Sequence, residues 1–334
     1  MENNKKKNKN QIMLFKRIEK DLPANHNLAH VISEFLEIGY AAAYSRIRGD
    51  KPISFEETVK LCNYFNISVD SVVGITDKNH IHCRYTPLDL TDMTDFLTFV
   101  QVASKNLEDT KLAPEGEIIM SAVDVPIFNI LPYKELTSFK LFSWSKSIYN
   151  FMGDYETFVK ESRNIESLNQ IYENILNNYQ LVPSTEIWTN STIDTVLRLL
   201  NYHFEMRHFS DKKSLSFLCE QLLGLISTLQ DWAKKGTKGE KGASFKFYVS
   251  ETGLENQFVL FKSEKTSNCM VKLYTINGLG ISDERFCSET ERWLQRLIQR
   301  SILISVASEI ERNKFFDTQK GKIEEFIEKI QSSF

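Results

Sequence analysis

The sequence predicts two domains of unlike make-up. The first is an α-helical N-terminal domain in a helix-turn-helix layout. The second is a mainly helical α+β C-terminal region with a small antiparallel sheet. Three observations predict this. Between Leu28 and Gly74, apolar residues recur at helical spacing in short runs separated by tight breaks. Residues 91–235 stay largely on the helical period. From Phe245 to Ile281 the period changes to two, with Asn277-Gly278 as a hairpin signal. A length of 334 residues suits one small and one large domain at roughly 150 residues each. The expected boundaries are 1–76 for the helical domain, 77–90 for a linker and 91–334 for the C-terminal region. That region divides into a helical part, 91–235, and an antiparallel meander with helices, 243–334.

In the N-terminal domain a first helix is expected over Gln11–Lys20, carrying Ile12, Leu14, Phe15 and Ile18, with Pro23 and Asn25 after it. A second starts near Asn27. Its Leu28, Ile32, Phe35 and Leu36 fall at i, i+4, i+7 and i+8, one helical face. Glu37-Ile38-Gly39 is the turn, Ile38 plugging the core and Gly39 taking an unusual backbone angle. The third helix, Tyr40–Arg48, should pack Ala43, Tyr44 and Ile47 inward. The small Ala41 and Ala42 would permit close approach, leaving Tyr40, Ser45, Arg46 and Arg48 outward. Gly49 ends it. Ser54 with Glu57 three residues on is a capping box. The helix it starts should bury Phe55, Val59, Cys62 and Phe65. A last short turn begins at Ser68 and Asp70 and stops at Gly74.

This segment resembles the lambda-repressor/Cro-like (XRE-type) helix-turn-helix family over about residues 11–76, a fifth of the chain. The residues that carry the resemblance are Leu28, Ile32, Leu36 and Ile38, YSRIRG at 44–49 and KPISFEETVKLCNYFNISVDSV at 51–72. Two features depart from the family pattern. Glu37 stands where the turn usually has Gly, and the spacing from Leu36 to Ile47 is one residue longer. The resemblance implies that Tyr40, Ala41, Ser45 and Arg46 occupy base-contacting positions. It places Arg48 and Lys51 against phosphates.

In the C-terminal region a helix is expected from Thr91 to about Asn106, followed by β-like runs at Glu117–Met120 and Val125–Phe128. Leu136–Trp232 reads as mainly helical, its clearest amphipathic stretch running from Leu215 to Leu229. KKGTKGEKG at 234–242 reads as a flexible basic turn. Strands are expected at Phe245–Val249, Gln257–Lys262 and Cys269–Ile276. A turn at Asn277-Gly278 then leads to Leu279–Ile281. Helices close the chain, one around Trp293 and one over Gly321–Ser332.

Bulk properties narrow the function classes. Hydrophobic content is 42% and charged content 25%, ordinary for a globular protein. No apolar run approaches the roughly 18 residues of a membrane span, and MENNKKKNKNQ lacks the apolar core of a signal peptide. Five scattered cysteines without a CxxC pair read as reduced thiols of a cytoplasmic protein. His80, His82 and Cys83 lack a second ligand cluster of fitting spacing, so no metal or other cofactor is expected. His203 and His208 read as satisfied or surface histidines. The net charge of −3 is uneven: residues 1–76 hold 11 basic and 9 acidic residues, and 7 of the basic ones fall in 1–20. A basic arm beside such a domain suits phosphate contacts.

No P-loop, GxGxxG, GxSxG or HExxH motif occurs, so no enzyme is expected. The leading expectation is a sequence-specific regulator of transcription that binds double-stranded DNA as a homodimer on a palindrome. Its C-terminal region would serve dimerisation and a small-molecule or peptide effector. The alternative is an interaction or sensing module whose helix-turn-helix does not read DNA.

Overall fold

The computed structural model describes residues 8–22, 26–65, 67–73, 80–85, 94–149, 151–162, 166–239, 242–273 and 277–332. The chain divides into two compact units, Met1–His82 and Cys83–Phe334.

Among the described residues the first unit holds five short helices: α1 (Lys9–Asp21), α2 (Leu28–Phe35), α3 (Tyr40–Ile47), α4 (Phe55–Tyr64) and α5 (Val69–Val73). Local chemistry sets their starts. The Asn8 and Asn27 side chains accept first-turn backbone N–H groups of α1 and α2. Ser54 and Glu57 form the expected reciprocal capping box on α4. Leu14, Phe15, Ile18, Ile32, Ala43, Leu61 and Cys62 are buried in one shared core. Each large apolar side chain buried there contributes ~1.5–3 kcal/mol.

Helices α2 and α3 end in the same way. After α2 the N–H of Ile38 donates to the Ser33 carbonyl and that of Glu37 to the Glu34 carbonyl, with Glu37 at φ +53°. After α3 the N–H of Asp50 donates to Ser45 and that of Gly49 to Arg46, with Gly49 at φ +75°. Both are Schellman ends, which place the residue after the C-cap in the left-handed region. The unusual angle expected at Gly39 therefore belongs to Glu37. Gly39 is the N-cap of α3 at φ −63°. Phe55 is not buried either: it is 72% exposed, because the buried stripe of α4 centres on Leu61 and Cys62, and Phe55 lies a turn before it.

The second unit begins with β1 (Cys83–Tyr85), α6 (Thr94–Leu112), β2 (Glu117–Ala122) and the short α7 (Ile127–Ile130). Helices α8 (Lys134–Tyr149), α9 (Tyr155–Ser162) and α10 (Glu166–Leu181) lead to β3 (Ser184–Trp188). Then come α11 (Asp194–Glu205), α12 (Lys212–Lys235) and β4 (Phe245–Val249). The last elements are β5 (Phe258–Lys262), β6 (Ser267–Lys272), β7 (Gly278–Ile281), α13 (Glu284–Gln299), β8 (Ile302–Leu303) and α14 (Glu309–Ser332).

The sheet is not the small antiparallel one expected. Among the described residues it has eight strands in the order β1-β7-β6-β5-β2-β3-β4-β8 and is mixed. Strands β2, β3 and β4 run parallel, joined by helical crossovers, whereas β5, β6, β7 and β1 form an antiparallel block. Side chains alternate across it. Ile118, Met120, Trp188, Phe245, Phe247 and Phe261 face a large core shared with α6, α8, α10, α12 and α14. Ile119, Ile187, Leu260 and Cys269 face α13 through Cys287, Leu294 and Leu297. The sheet is thus sandwiched between helical layers.

Several expectations change for identifiable reasons. Strand β3 falls inside the stretch read as helical. All five of its residues are buried, so a strand covered on both faces shows no alternation to read. Val125–Phe128, read as β-like, instead leads into α7, because Pro126 caps that helix. The stretch read as a linker contains β1, which pairs with β7. Asn277-Gly278 is not a two-residue turn: Gly278 lies within β7, paired with Lys272. Residues 274–276, read as the end of a strand, lie outside the described residues, as do Pro23, Asn25, Gly74, most of the linker and Thr91.

Candidate functional site

The six residues singled out for DNA contact all lie on or just after α3, but they are not presented alike. Tyr40 and Tyr44 are 45% and 49% exposed, and Ala41 and Arg48 are exposed beside them. Tyr40, Tyr44 and Arg48 follow at i, i+4 and i+8 and form one stripe. The Tyr40 ring packs tilted against His30 of α2 at 4.8 Å and stacks on Tyr44 at 6.5 Å. The Arg48 guanidinium lies 5.8 Å from the Tyr44 ring centre. Tyr44 was expected to pack inward. The inward positions are taken by Ala43, which is buried, and Ile47, which packs on the same core. Four residues on from Tyr40, Tyr44 shares its outward direction.

Arg46 is tied down. Its Nη2 donates to Glu57 Oε1 at 3.1 Å, and its side chain is mostly covered. Its Nε is buried with no hydrogen-bond partner among the described residues. The other oxygen of Glu57 accepts the Ser54 N–H at 2.8 Å, so one carboxylate both caps α4 and holds α3 to it. Arg48 is looser: its 3.3 Å pair with Asp50 is exposed on both sides, a contact worth little in water. Lys51 is exposed, and Ser45 contributes chiefly a backbone carbonyl that accepts from Asp50 and Lys51.

One residue of this site escaped the sequence reading. The buried Gln11 of α1 donates through Nε2 to the carbonyls of Arg46 (2.6 Å) and Lys51 (2.7 Å), and its Oε1 accepts the Ile53 N–H (3.1 Å). It clamps the end of α3 and the loop after it. Gln11, Leu14, Phe15 and Ile18 sit at i, i+3, i+4 and i+7. A polar residue on that apolar face was the available signal.

The second unit contains a cavity of about 720 Å³, counting the space at its mouth. It lies beyond the carboxyl end of β2, where the parallel and antiparallel halves of the sheet meet. Ligands of open α/β sheets favour such a place. Phe96, Phe99, Ile130, Leu131, Val259 and Met270 line much of it. At one side Asp124 Oδ2 accepts from Lys140 Nζ at 2.6 Å and from Lys272 Nζ at 2.5 Å. Asp124 and Lys140 are buried, and Lys272 is partly exposed. Burial opposes ionisation of Asp124, but the two ammonium groups outweigh it and hold its carboxyl below the usual range. Burial also pulls Lys140 down, with Asp124 opposing.

A second buried charge group sits under the parallel strands. Glu186 of β3 accepts from Asn129 Nδ2, the Tyr179 hydroxyl and Trp188 Nε1. Lys238 is fully buried within the glycine-rich segment expected to be a flexible turn. Its Nζ donates to the Val182 carbonyl and lies 3.6 Å from the Tyr179 ring centre. Burial lowers Lys238 to about 7, with Glu186 opposing. The Glu186 carboxyl is raised by burial despite its three donors.

His203 is buried, with Nδ1 2.8 Å from His208 Nδ1 and Nε2 3.0 Å from Ser143 Oγ. Burial, then the neighbouring His208 and Lys146, lower it to about 4. Among the described residues no group of three His, Cys, Asp or Glu is placed to hold a metal, and no helix is long and apolar enough to cross a membrane. No family model matches the chain, nor does any curated protein or any solved structure.

Proposed function

We propose that the first unit binds double-stranded DNA through α3 and that the protein is a transcriptional regulator acting as a dimer on a palindromic site. The observation that carries this reading is the outward stripe of α3. Tyr40, Ala41, Tyr44 and Arg48 are exposed and serve no core, with Lys51 following, while α2 and a tight turn fix the helix behind them. A helix held by its inner face with aromatic, small and basic residues outside suits a major groove. Arg46 contributes by positioning α3 against α4, and Gln11 by fixing the loop that bears Lys51.

The test uses the full-length protein with a pool of random duplexes, selected for binding and read by fluorescence anisotropy. The expected outcome is an enriched palindrome and affinity that falls at least tenfold between roughly 50 and 200 mM salt. Arg48→Ala should weaken binding to that sequence by about 1–3 kcal/mol. No enrichment together with a flat salt response would overturn the reading. A second reading, in which this unit contacts another protein, is favoured by Phe55 and Tyr64, which are 72% and 64% exposed. Loss of DNA binding on Arg48→Ala but not on Phe55→Ser would decide between them.

A further inference from the structure

We propose that the cavity at the carboxyl end of β2 binds a small monocarboxylate with an apolar body. This inference stands on the second unit alone and does not depend on the DNA-binding reading.

The walls set the body. Aromatic and branched side chains from α6, α7 and β5 surround a space large enough for a small organic molecule, and such walls reward apolar contact. The polar side sets the head group. Lys140 and Lys272 carry two positive charges against the single negative charge of Asp124. With both lysines protonated the cluster carries one excess positive charge, shared between the buried Lys140 and the partly exposed Lys272, and a counter-charge in the cavity would neutralise it. One carboxylate brings the sum to zero. A doubly charged phosphate would overshoot, leaving an excess negative charge beside a buried aspartate.

Hydrogen bonding points the same way. Each ammonium has three protons and each gives one to Asp124 Oδ2. Asp124 Oδ1 is already taken by the Val125 N–H. Asn277 also lines the cavity and is 1% exposed. Its Oδ1 accepts the Gly278 N–H, while its Nδ2 is buried without a partner among the described residues. Gln257 Oε1 is occupied by the Asp124 N–H. The cluster thus offers spare donors at Lys140, Lys272 and Asn277, while the Asp124 oxygens already accept three N–H groups, as suits an acceptor-only head group.

The test is isothermal titration of the full-length protein with octanoate, decanoate and 2-naphthoate. Each is paired with its neutral counterpart (1-octanol, 1-decanol, 2-naphthol), and octyl phosphate is added as a doubly charged probe. The expected result is one-to-one binding of at least one carboxylate, with its neutral counterpart and octyl phosphate each about tenfold weaker or more. Lys272→Gln should weaken the carboxylate about tenfold and leave the neutral counterpart unchanged. The proposal is overturned if no carboxylate binds, if the neutral partner binds as tightly, or if octyl phosphate binds tighter. It is equally overturned if a cooperatively folded Lys272→Gln protein keeps full carboxylate affinity. Should that variant fail to fold, the paired probes on the unaltered protein decide the matter.

Discussion

The Glu186 carboxylate sits among three donors and near a buried lysine, where no apolar side chain could replace what it accepts. Glu186→Leu should lower stability by about 3–5 kcal/mol, because it strands those donors and leaves Lys238 without its counter-charge. Urea denaturation would measure this, and a loss below about 1 kcal/mol would count against the cluster. Glu37 makes the opposite case. At φ +53° it sits in a region that favours glycine, so Glu37→Gly should raise stability by ~0.5 kcal/mol after glycine's extra unfolded-state entropy is subtracted. His203 gives a pH dependence with a definite sign. Its folded value, about 4, lies below the unfolded 6.5, so the unfolded chain binds more protons between those limits. Stability is full above about pH 6.5 and falls as pH drops toward 4, with a slope on the order of 1 kcal/mol per pH unit. His208 is shifted the same way, by burial and by Lys146, and adds to it. Thermal melts across this range should flatten in His203→Gln.

At the scale of elements, the same helix end is used twice in the first unit, and the turn between α2 and α3 is fixed by it. The basic glycine-rich segment after α12 is similarly set by close approach. A Cβ on Gly242 would lie 1.4 Å from the Lys238 carbonyl oxygen, and one on Gly236, at φ +71°, would lie 2.4 Å from Val306 Cγ2. Gly242→Ala should therefore displace Lys238 and cost about 2–3 kcal/mol, read as a lower denaturation midpoint. An unchanged midpoint would mean that the segment is as loose as its composition implies. The α3 stripe was legible in part: Tyr40, Ala41 and Arg48 stand outward as expected. Tyr44 and Arg46 exchange roles, because an arginine near the α4 N-terminus meets the capping glutamate first. Helical spacing alone says nothing of that partner.

At the scale of the molecule, the two units have separate apolar cores. Scanning calorimetry of the full chain should resolve two transitions. A single transition at all scan rates would contradict independent folding. The proposed dimer belongs to this scale as well, and sedimentation at micromolar concentration should report twice the chain mass of 38.8 kDa.

By itself the sequence determined the elements whose signal is local. These are the first four short helices with the Ser54–Glu57 capping box and the Gly49 stop, the amphipathic run of α12 and the period-two strands β4 and β5. Caps and periodicity act over a few residues, so they can be read from a few residues. Only the tertiary structure decided the size and mixed order of the sheet. It alone revealed β3, whose buried residues carry no alternation, and brought Asp124, Lys140 and Lys272 together from three distant segments. The pairing of β2 with β3 and β5, and the Asp124 cluster, join residues 16 to 148 positions apart. Their partners are chosen by packing and by the cost of burying a charge alone, and neither leaves a mark at fixed spacing along the chain.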